Sequence, residues 1–403
     1  MPFTAQVVLW LSLYAVVYAY LVYPVLIFVC SRLLGRKPMA NALGEDQLPK
    51  VSLLIAALNE ESVIGERVEN ALALNYPTSK LEIVIASDGS VDQTAQMVRE
   101  FERKYPGRVR LLDYPQRRGK ATVLNESMRE LTGEIVLFSD ANTFFDKQSA
   151  RNVVRWFANP EVGVVCGKLK LVNPRSGKNV DSLYWLYETF IKECEGRLGA
   201  LLGSNGAIYA IRKADYIPIA GDTIIDDFMI PLLVKMRGGK RIIYDIEAIA
   251  YEETPSDMKA EFGRRSRIGA GGFQSLVRLW QLLLPVYGWT AFSFWSHKLI
   301  RWCCPAFLLL ALLANVLLAG DMFYRLVLTV QFGFYGLAMA GNFIPGNARP
   351  ARLLRLTTMF TSMNLALAVG FWRWISGLQR GTWQRTAREP AITPLLPEPA
   401  EVS

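Results

Sequence analysis

A stretch near the start of the chain, from Val7 to Cys30, contains no charged residue, and basic residues follow it at Arg32, Arg36 and Lys37. About twenty apolar residues are enough for a helix to span the hydrocarbon core of a bilayer. A cleavable signal peptide would have a basic region followed by a shorter apolar stretch and a small-residue cleavage site, and neither is evident. We therefore predict an uncleaved transmembrane helix, after which the basic residues place the chain in the cytoplasm.

Further apolar stretches lie near the other end of the chain. Trp302–Gly320, Leu326–Ile344 and Leu356–Trp372 are each able to span. A fourth stretch, Leu279–His297, is rich in Trp and contains Pro and Gly, which favours a helix at the membrane interface over a span. One span before the middle of the chain and three after it would leave the basic C-terminal segment outside, against the positive-inside rule. Either Leu279–His297 also crosses, or the last stretch only enters the membrane partway.

The composition narrows the class of protein. The mean hydropathy of +0.19, with ten Trp, argues against a disordered or nucleic-acid-binding chain. The net charge of +9 comes from basic residues that cluster beside the apolar stretches, where they can face anionic lipid. We therefore predict no nucleic-acid partner. A single histidine and five cysteines without a CxxC pair leave little material for a zinc site or a Ser-His-Asp triad.

Between the apolar ends of the chain, continuous apolar runs, as found in buried strands, alternate with amphipathic stretches. The predicted strands are Val51–Ala57, Leu81–Ala86, Val109–Asp113 and Glu134–Ser139, and the predicted helices are Glu61–Leu74, Asp92–Tyr105 and Lys120–Leu131. This alternation predicts βαβ units and an α/β fold with a doubly wound, mostly parallel sheet. Ligands bind outside the carboxyl ends of the strands in such sheets.

Acidic or amide residues follow three of these strands. They are Asn59 and Glu60 after the first, Asp88 after the second, and Asp140 and Asn142 after the fourth. A single Asp after a strand is often a helix cap, and capping is an equal alternative for Asp92. Three such strand ends on one edge indicate a site for a cation or a polyhydroxyl ligand, since clustered carboxylates repel each other otherwise.

Phosphate-binding signatures of other families are missing from the sequence. No GxGxxG follows the first strand, and no GxxxxGK[ST] occurs. A phosphate would therefore be held by a metal or by basic side chains. Arg117–Lys120 and Arg264–Arg267 are the candidates, although each could also be a solvated run of charges.

The ordered motifs resemble the catalytic domain of family 2 glycosyltransferases. They are NEE at 59–61, SDGSVDQT at 87–94, GK-x3-LN at 119–125, SDANT at 139–143, GSNGAIYAIR at 203–212, Asp226-Asp227 and RSRIGAGG at 265–272. The match runs from about Val51 to Gly272. Membrane-embedded members, such as cellulose and hyaluronan synthases, have a cytosolic GT-A domain inserted between transmembrane helices. The resemblance implies that Rossmann-like fold and that layout here.

The resemblance also implies roles for individual residues. Asp227 aligns with the catalytic base, and Asp140 with the metal-binding aspartate, where Asn142 replaces a second acid. The implied nucleotide-sugar-binding residues are Asn59, Glu60, Asp88, Lys120, Asp140 and Arg267. Asn205, Asp226 and Arg264 are assigned to the acceptor or to support of the site. Ile268 stands where processive members have a Trp, which weakens the case for a processive polymerase.

The predicted function is inverting transfer of a sugar from a nucleotide-diphosphate donor, most simply a UDP-sugar, with Mg²⁺ or Mn²⁺ as cofactor. The acceptor is predicted to be a membrane-associated glycan or lipid, as in bacterial exopolysaccharide or cell-envelope glycan synthesis. Transfer of one sugar to a polyprenyl phosphate or glycolipid is the alternative, and a non-catalytic membrane binding module is a further one.

The predicted layout places the protein in the inner membrane as a multi-pass chain, with its catalytic domain in the cytoplasm. The expected segments are a transmembrane helix with a basic linker (1–48), the GT-A domain (49–272), an interfacial helix (273–298), transmembrane helices (299–376) and a basic, then Pro-rich tail (377–403).

Overall fold

The computed structural model describes residues 2–36, 39–40, 43–172, 183–253, 258–341, 349–379 and 381. The chain divides into two compact units. The first contains Met1–Val29, Met258–Pro285 and Ala291–Gln379, and the second contains Cys30–Asp257, Val286–Thr290 and Arg380–Ser403.

The structure has these helices and strands in chain order. They are α1 (Pro2–Val17), α2 (Tyr23–Leu33), β1 (Val51–Ala57), α3 (Ile64–Leu72), β2 (Leu81–Asp88), α4 (Thr94–Lys104), β3 (Val109–Tyr114), α5 (Lys120–Glu130), β4 (Ile135–Asp140), β5 (Thr143–Phe145), α6 (Ser149–Val154), β6 (Val162–Val172), α7 (Leu183–Arg197), β7 (Tyr209–Arg212), α8 (Asp226–Gly238), β8 (Arg241–Glu253), α9 (Met258–Arg278), α10 (Trp289–Ser293), α11 (Ile300–Trp302), α12 (Cys304–Leu317), α13 (Met322–Ala340) and α14 (Arg349–Ile375).

The second unit is built on an eight-stranded sheet in the order β3-β2-β1-β4-β7-β6-β8-β5. β1 pairs in parallel with β2 and β4, and β2 pairs in parallel with β3. β7 lies antiparallel between β4 and β6, and β6 and β8 are parallel. The doubly wound α/β fold predicted from the sequence is confirmed, and the antiparallel pairings come from strands that we did not predict.

The helices cover the sheet because its strands are apolar on both faces. All seven residues of β1 are buried, as expected for a central parallel strand between two helical layers. Leu53 and Ile55 of β1 share one core cluster with Ile64 and Val68 of α3 and Val98 of α4. The carboxyl ends of β1, β2 and β4 therefore lie side by side at one fixed edge.

The first unit consists of helices. By length and composition, and within the described residues, Pro2–Leu33 and Met322–Ala340 could each cross a membrane. The pair Trp289–Trp302 and Cys304–Leu317, bent by 54°, would be a third span if it crosses as one. α14 contains the predicted span Leu356–Trp372 and is not among these candidates.

Leu279–His297 is broken into short helical pieces, with Gly288 at a φ of 53° between two of them. This irregular segment differs from the continuous interfacial helix that we expected over 273–298.

The glycines at Gly269 and Gly272 lie inside α9, so residue 272, where we placed a boundary, is within a helix. A methyl group at Gly269 would lie 3.2 Å from Leu367 of α14, and one at Gly370 would lie 2.5 Å from the carbonyl oxygen of Ser266. The small residues therefore allow α9 and α14 to pack closely, which is a common use of glycine between helices in membranes.

Candidate active site

Three charged side chains meet at the carboxyl end of β4. Lys120, the first residue of α5, donates from Nζ to Asp140 Oδ1 at 2.7 Å, and its Nζ lies 3.3 Å from Asp226 Oδ2. Asp140 ends β4, and Asp226 begins α8. The two carboxylates raise the pKa of Lys120 against the opposing effect of its burial, so this amine stays protonated. The sequence assigned all three to one site, and the structure brings them together.

Asp227 lies beside this group. Its Oδ2 accepts a hydrogen bond from the Gly206 N–H at 2.8 Å, and its carbonyl oxygen accepts bonds from the N–H and hydroxyl of Ser204. Burial, and then the nearby carboxylate of Asp226, raise the pKa of Asp227 to about 6, although Lys120 acts in the opposite direction. A carboxylate with such a pKa is suited to accept a proton from a hydroxyl near neutral pH.

Gly206 leaves a small space between two of the carboxylates. A methyl group at this residue would lie 3.2 Å from Asp140 Oδ2 and 3.4 Å from Asp227 Oδ2. Within the described part of the chain, no group of three or more His, Cys, Asp or Glu side chains is arranged to hold a metal ion. The Asp140 and Asp227 oxygens beside Gly206 are of the type that hard cations prefer, and they would supply one or two ligands, with the others coming from a bound phosphate.

The side chains of Asn142 and Asn205 have different hydrogen-bond partners. The amide nitrogen of Asn142 donates to Glu252 Oε1 at 2.9 Å, which links the end of β4 to β8. Asn205 is buried, accepts a hydrogen bond from Lys192 Nζ, and donates to the carbonyl oxygen of Gly167 at 3.3 Å. Both are residues for which the sequence predicted a role in the site.

Asp88 has backbone partners. It is 1% exposed, and its two carboxylate oxygens accept from the N–H groups of Arg118 at 2.6 Å and of Gly119 at 2.9 Å. Gly119 has a φ of 90°, a conformation that glycine adopts at little cost. These bonds fix the loop directly before Lys120. Asp88 therefore positions this loop, a contact that we did not predict.

Asn59 and Glu60 connect the loops after β1 and β2. Asn59 has a φ of 55°, and its Oδ1 accepts from the Val91 N–H at 2.8 Å. The N–H of Glu60 donates to Thr94 Oγ1 at 2.8 Å. Asp92, for which helix capping was an alternative, precedes the N-cap residue Gln93 of α4, and its Oδ1 accepts from the N–H and hydroxyl of Thr94, the first residue of that helix.

The two arginines predicted from the sequence lie on α9, in the first unit. Arg264 forms an ion pair with Glu261 one helical turn earlier, at 3.0 Å. Arg267 follows on the same helix. The structure thus gathers Lys120, Asp140, Asp226 and Asp227 within the second unit, and it places Arg264 and Arg267 in the other.

Two buried residues next to the site were missed by the sequence analysis. The guanidinium of Arg67 donates to Ser139 Oγ, the residue before Asp140, and to Asn70 Oδ1, both at 3.1 Å. The hydroxyl of Tyr209 on β7 has no hydrogen-bond partner within the described residues, and burial together with Asp226 raises its pKa. Arg67 lies in the amphipathic helix α3, outside the quoted motifs, so no local signal marks it. Tyr209 lies within the motif GSNGAIYAIR at 203–212, which could have drawn attention to it.

Comparison with known proteins agrees with this geometry. The family model "Glycosyl transferase family 2" matches residues 52–215, and "Glycosyl transferase family group 2" matches residues 135–374. The chain is 28% identical over 251 residues to poly-beta-1,6-N-acetyl-D-glucosamine synthase of Staphylococcus aureus, which is 61% of this chain and 59% of that protein. It is 26% identical over 304 residues to the probable glycosyltransferase YdaM of Bacillus subtilis, or 71% of this chain and 70% of the relative.

A solved structure shares the fold. The mannosyltransferase PcManGT from Pyrobaculum calidifontis, in complex with GDP-Man and Mn²⁺, superposes with a TM-score of 0.71 at 21% identity, covering 92% of this chain and all of that one. The GT-A-like fold is therefore confirmed. Because one family model spans more than half of the chain, and because the acidic residues of its motifs meet at one edge of the sheet, the chain belongs to glycosyl transferase family 2.

Proposed function

We propose that this glycosyltransferase moves a sugar from a nucleotide-diphosphate donor to a membrane-associated acceptor, with inversion at the anomeric carbon, in exopolysaccharide synthesis. The observation that carries the proposal is the Asp227 carboxylate, with its raised pKa, beside Asp140 and Lys120. The similarity to poly-beta-1,6-N-acetyl-D-glucosamine synthase supports a polysaccharide as the product. The chain matches 59% of that relative's length. We therefore propose the relative's polymerising activity for this protein and do not infer it from the similarity alone.

The chain's own residues suit each part of the transfer. Asp227 takes the proton of the acceptor hydroxyl as its oxygen attacks the anomeric carbon from the side opposite the leaving diphosphate. The protonated Lys120 offsets negative charge that develops on the departing diphosphate. Asp226 holds Lys120 through their ion pair and keeps the amine next to the site.

A divalent cation, Mg²⁺ or Mn²⁺, fits the same site. Asp140 would bind it through Oδ2, on the side of Gly206, while Oδ1 accepts from Lys120. Asn142 would assist from the end of β4. The bound cation would supply positive charge to the diphosphate during bond cleavage. Support comes from the mannosyltransferase structure, which contains Mn²⁺ with its nucleotide sugar.

The nucleotide would lie across the loops that Asn59, Glu60 and Asp88 connect, and a UDP-sugar is the proposed donor. Arg264 and Arg267 of α9 would contribute positive charge toward the acceptor and the diphosphate. We propose that the protein lies in the inner membrane through its apolar helices, with residues 49–272 forming the catalytic part in the cytoplasm.

One observation favours the second candidate, transfer of a single sugar to a lipid. Ile268 stands where processive members of the family have a tryptophan. The side chain of Ile268 is 39% exposed on α9. A branched aliphatic side chain cannot stack on a sugar ring as an indole can, so a growing chain would be held less firmly.

The product distinguishes these functions. Membranes containing the full chain, incubated with a radiolabelled UDP-sugar and Mn²⁺, should yield labelled polymer that a polysaccharide gel retains. Label confined to material extracted by organic solvent would instead establish single transfer to a lipid. Membranes with Asp227→Asn serve as the matched control. Absence of any product with several UDP- and GDP-sugars would contradict the proposed transferase activity.

The pH dependence of transfer should reflect Asp227. The base must be deprotonated to accept a proton, and its pKa is raised to about 6, so the rate should fall as the pH decreases through about 6 and level off above neutral pH. Initial rates under saturating donor between pH 5 and 8 would measure this decrease in rate at acidic pH. A rate that stays constant down to pH 5 would exclude Asp227 as the base.

A further inference from the structure

An open cavity of about 270 Å³ lies in the second unit, away from the site described above. Asp227 is the second residue of α8, and Lys235, near the cavity, lies about two turns later on the same helix, a separation of roughly 12 Å along the helix axis at about 1.5 Å per residue. The side chains that line the cavity come from four parts of the chain: Leu34, Arg36, Arg197, Leu198, Arg241 and Trp289.

The cavity is strongly cationic. Arg36, Arg197 and Arg241 all face it. Within the described residues, no acidic side chain forms an ion pair with any of the three. Like charges around one space repel each other unless an anion lies between them. The planar guanidinium groups offer paired N–H donors that match phosphate oxygens.

A fourth cation lies next to these arginines. Lys235 donates from Nζ to the carbonyl oxygen of Gly199, another residue at the cavity, at 2.6 Å. Burial, and then the charge of Arg241, lower the pKa of Lys235 to about 8. In the part of the chain that the structure describes, no ion pair with an acidic side chain balances these four cations, and a bound anion would balance them.

The main chain holds the cavity in shape. The N–H of Arg36 donates to the carbonyl oxygen of Arg197 at 3.0 Å. A methyl group at Gly35 would lie 2.2 Å from the Ser31 carbonyl oxygen and 3.0 Å from Arg197 Cβ, so only glycine permits this approach. Arg36 and Arg197 are therefore directed to one space by backbone contacts.

The cavity adjoins the ends of two apolar helical segments. Leu34 directly follows Pro2–Leu33, and Trp289 begins the bent pair Trp289–Trp302 and Cys304–Leu317. Tryptophan is enriched at membrane interfaces, and basic residues after an apolar helix face anionic lipid. We propose that this cavity binds the phosphate of an anionic phospholipid head group, with Arg36, Arg197 and Arg241 as its ligands. This lipid site is independent of the proposed transfer chemistry.

The test compares lipid binding to the detergent-purified full chain. Native mass spectrometry should show phosphatidylglycerol binding at least tenfold more tightly than phosphatidylcholine. The double variant Arg197→Gln with Arg241→Gln should lose this preference, because each lost charge-assisted hydrogen bond weakens binding by roughly tenfold. The matched control, Arg103→Gln with Arg129→Gln, removes the same charge from exposed positions on α4 and α5 and should keep it.

The other possible results either overturn or support the proposed lipid site. Equal lipid preference in the wild type and the double variant would overturn it. Inorganic phosphate that protects the wild type from thermal unfolding, without any preference for phosphatidylglycerol, would also overturn it by showing a site for soluble phosphate. If the double variant fails to fold, the exposed Arg36→Gln alone should weaken phosphatidylglycerol binding by roughly tenfold.

Discussion

Replacing Asp227 by Asn should lower the rate of sugar transfer by roughly 10²–10⁴-fold, which is the contribution typical of a positioned general base. The amide keeps the shape of the side chain and an oxygen that can accept from the Gly206 N–H. It cannot take the acceptor proton. Because a base acts mainly in the transition state, kcat should fall while the affinity for nucleotide changes little. Single-turnover rates and equilibrium nucleotide binding measure the two quantities.

The loss of activity in Asp227→Asn should not come from unfolding. The pKa of Asp227 is raised in the folded chain, so its negative charge opposes folding at pH values above about 6. Removing that charge should leave the free energy of unfolding at pH 7.5 unchanged or higher. A variant that is inactive because it is less stable would contradict the assignment of Asp227 as the base.

Asp226→Asn provides the neighbouring comparison. The charge of Asp226 raises the pKa of Asp227, so its removal should move the acid limb of the rate to lower pH. The maximal rate should fall much less than in Asp227→Asn, since Lys120 retains Asp140 as a partner. A larger loss in Asp226→Asn than in Asp227→Asn would exchange the roles of the two residues.

The second large effect is expected for Asp140→Ala, which should lower kcat/KM by roughly a thousandfold, as expected when a cation that contributes several kcal/mol is lost. The variant removes the proposed cation ligand and the nearer partner of Lys120. Nucleotide binding to the wild type should strengthen on addition of Mn²⁺, and the variant should lose this dependence. Calorimetric titration of nucleotide with Mn²⁺ and with a chelator measures it.

Asp113→Ala is the matched control for Asp140→Ala. Asp113 lies one residue before the carboxyl end of β3. Among the described residues it forms an ion pair with the exposed Arg99, and such surface pairs contribute little to stability. Its activity and cation dependence should match those of the wild type. Normal turnover of Asp140→Ala, with no effect of chelator on the wild type, would show that the cation assignment is wrong.

Much of the parallel half of the sheet was predictable from the sequence. The predicted strand Val51–Ala57 has the same bounds in the structure, and Lys120 begins a helix as expected. A continuous apolar run is recognisable because a central parallel strand is buried on both faces, which is a local property of the residues. The positions of Asp140 and Asp88 at strand ends follow from the same pattern.

The partners of these residues depended on tertiary structure. Asp226 and Asp227 follow no predicted strand, and the fold alone brings them to Lys120 and Gly206. The sequence did not indicate that both carboxylate oxygens of Asp88 accept hydrogen bonds from the backbone N–H groups of Arg118 and Gly119. Sequence distance carries no information about which loops meet above a sheet, because the crossovers between strands decide it.

The sequence by itself determined the family, the parallel sheet and the identities of most acidic residues at the site, since each depends on local order or periodicity. Only the tertiary structure decided which carboxylate is held at a raised pKa, that Gly269 and Gly272 lie in a helix, and that Arg36, Arg197 and Arg241 share one cavity. Charges interact over a few ångströms whatever their separation along the chain, so their pKa values and binding sites exist only once the chain has folded.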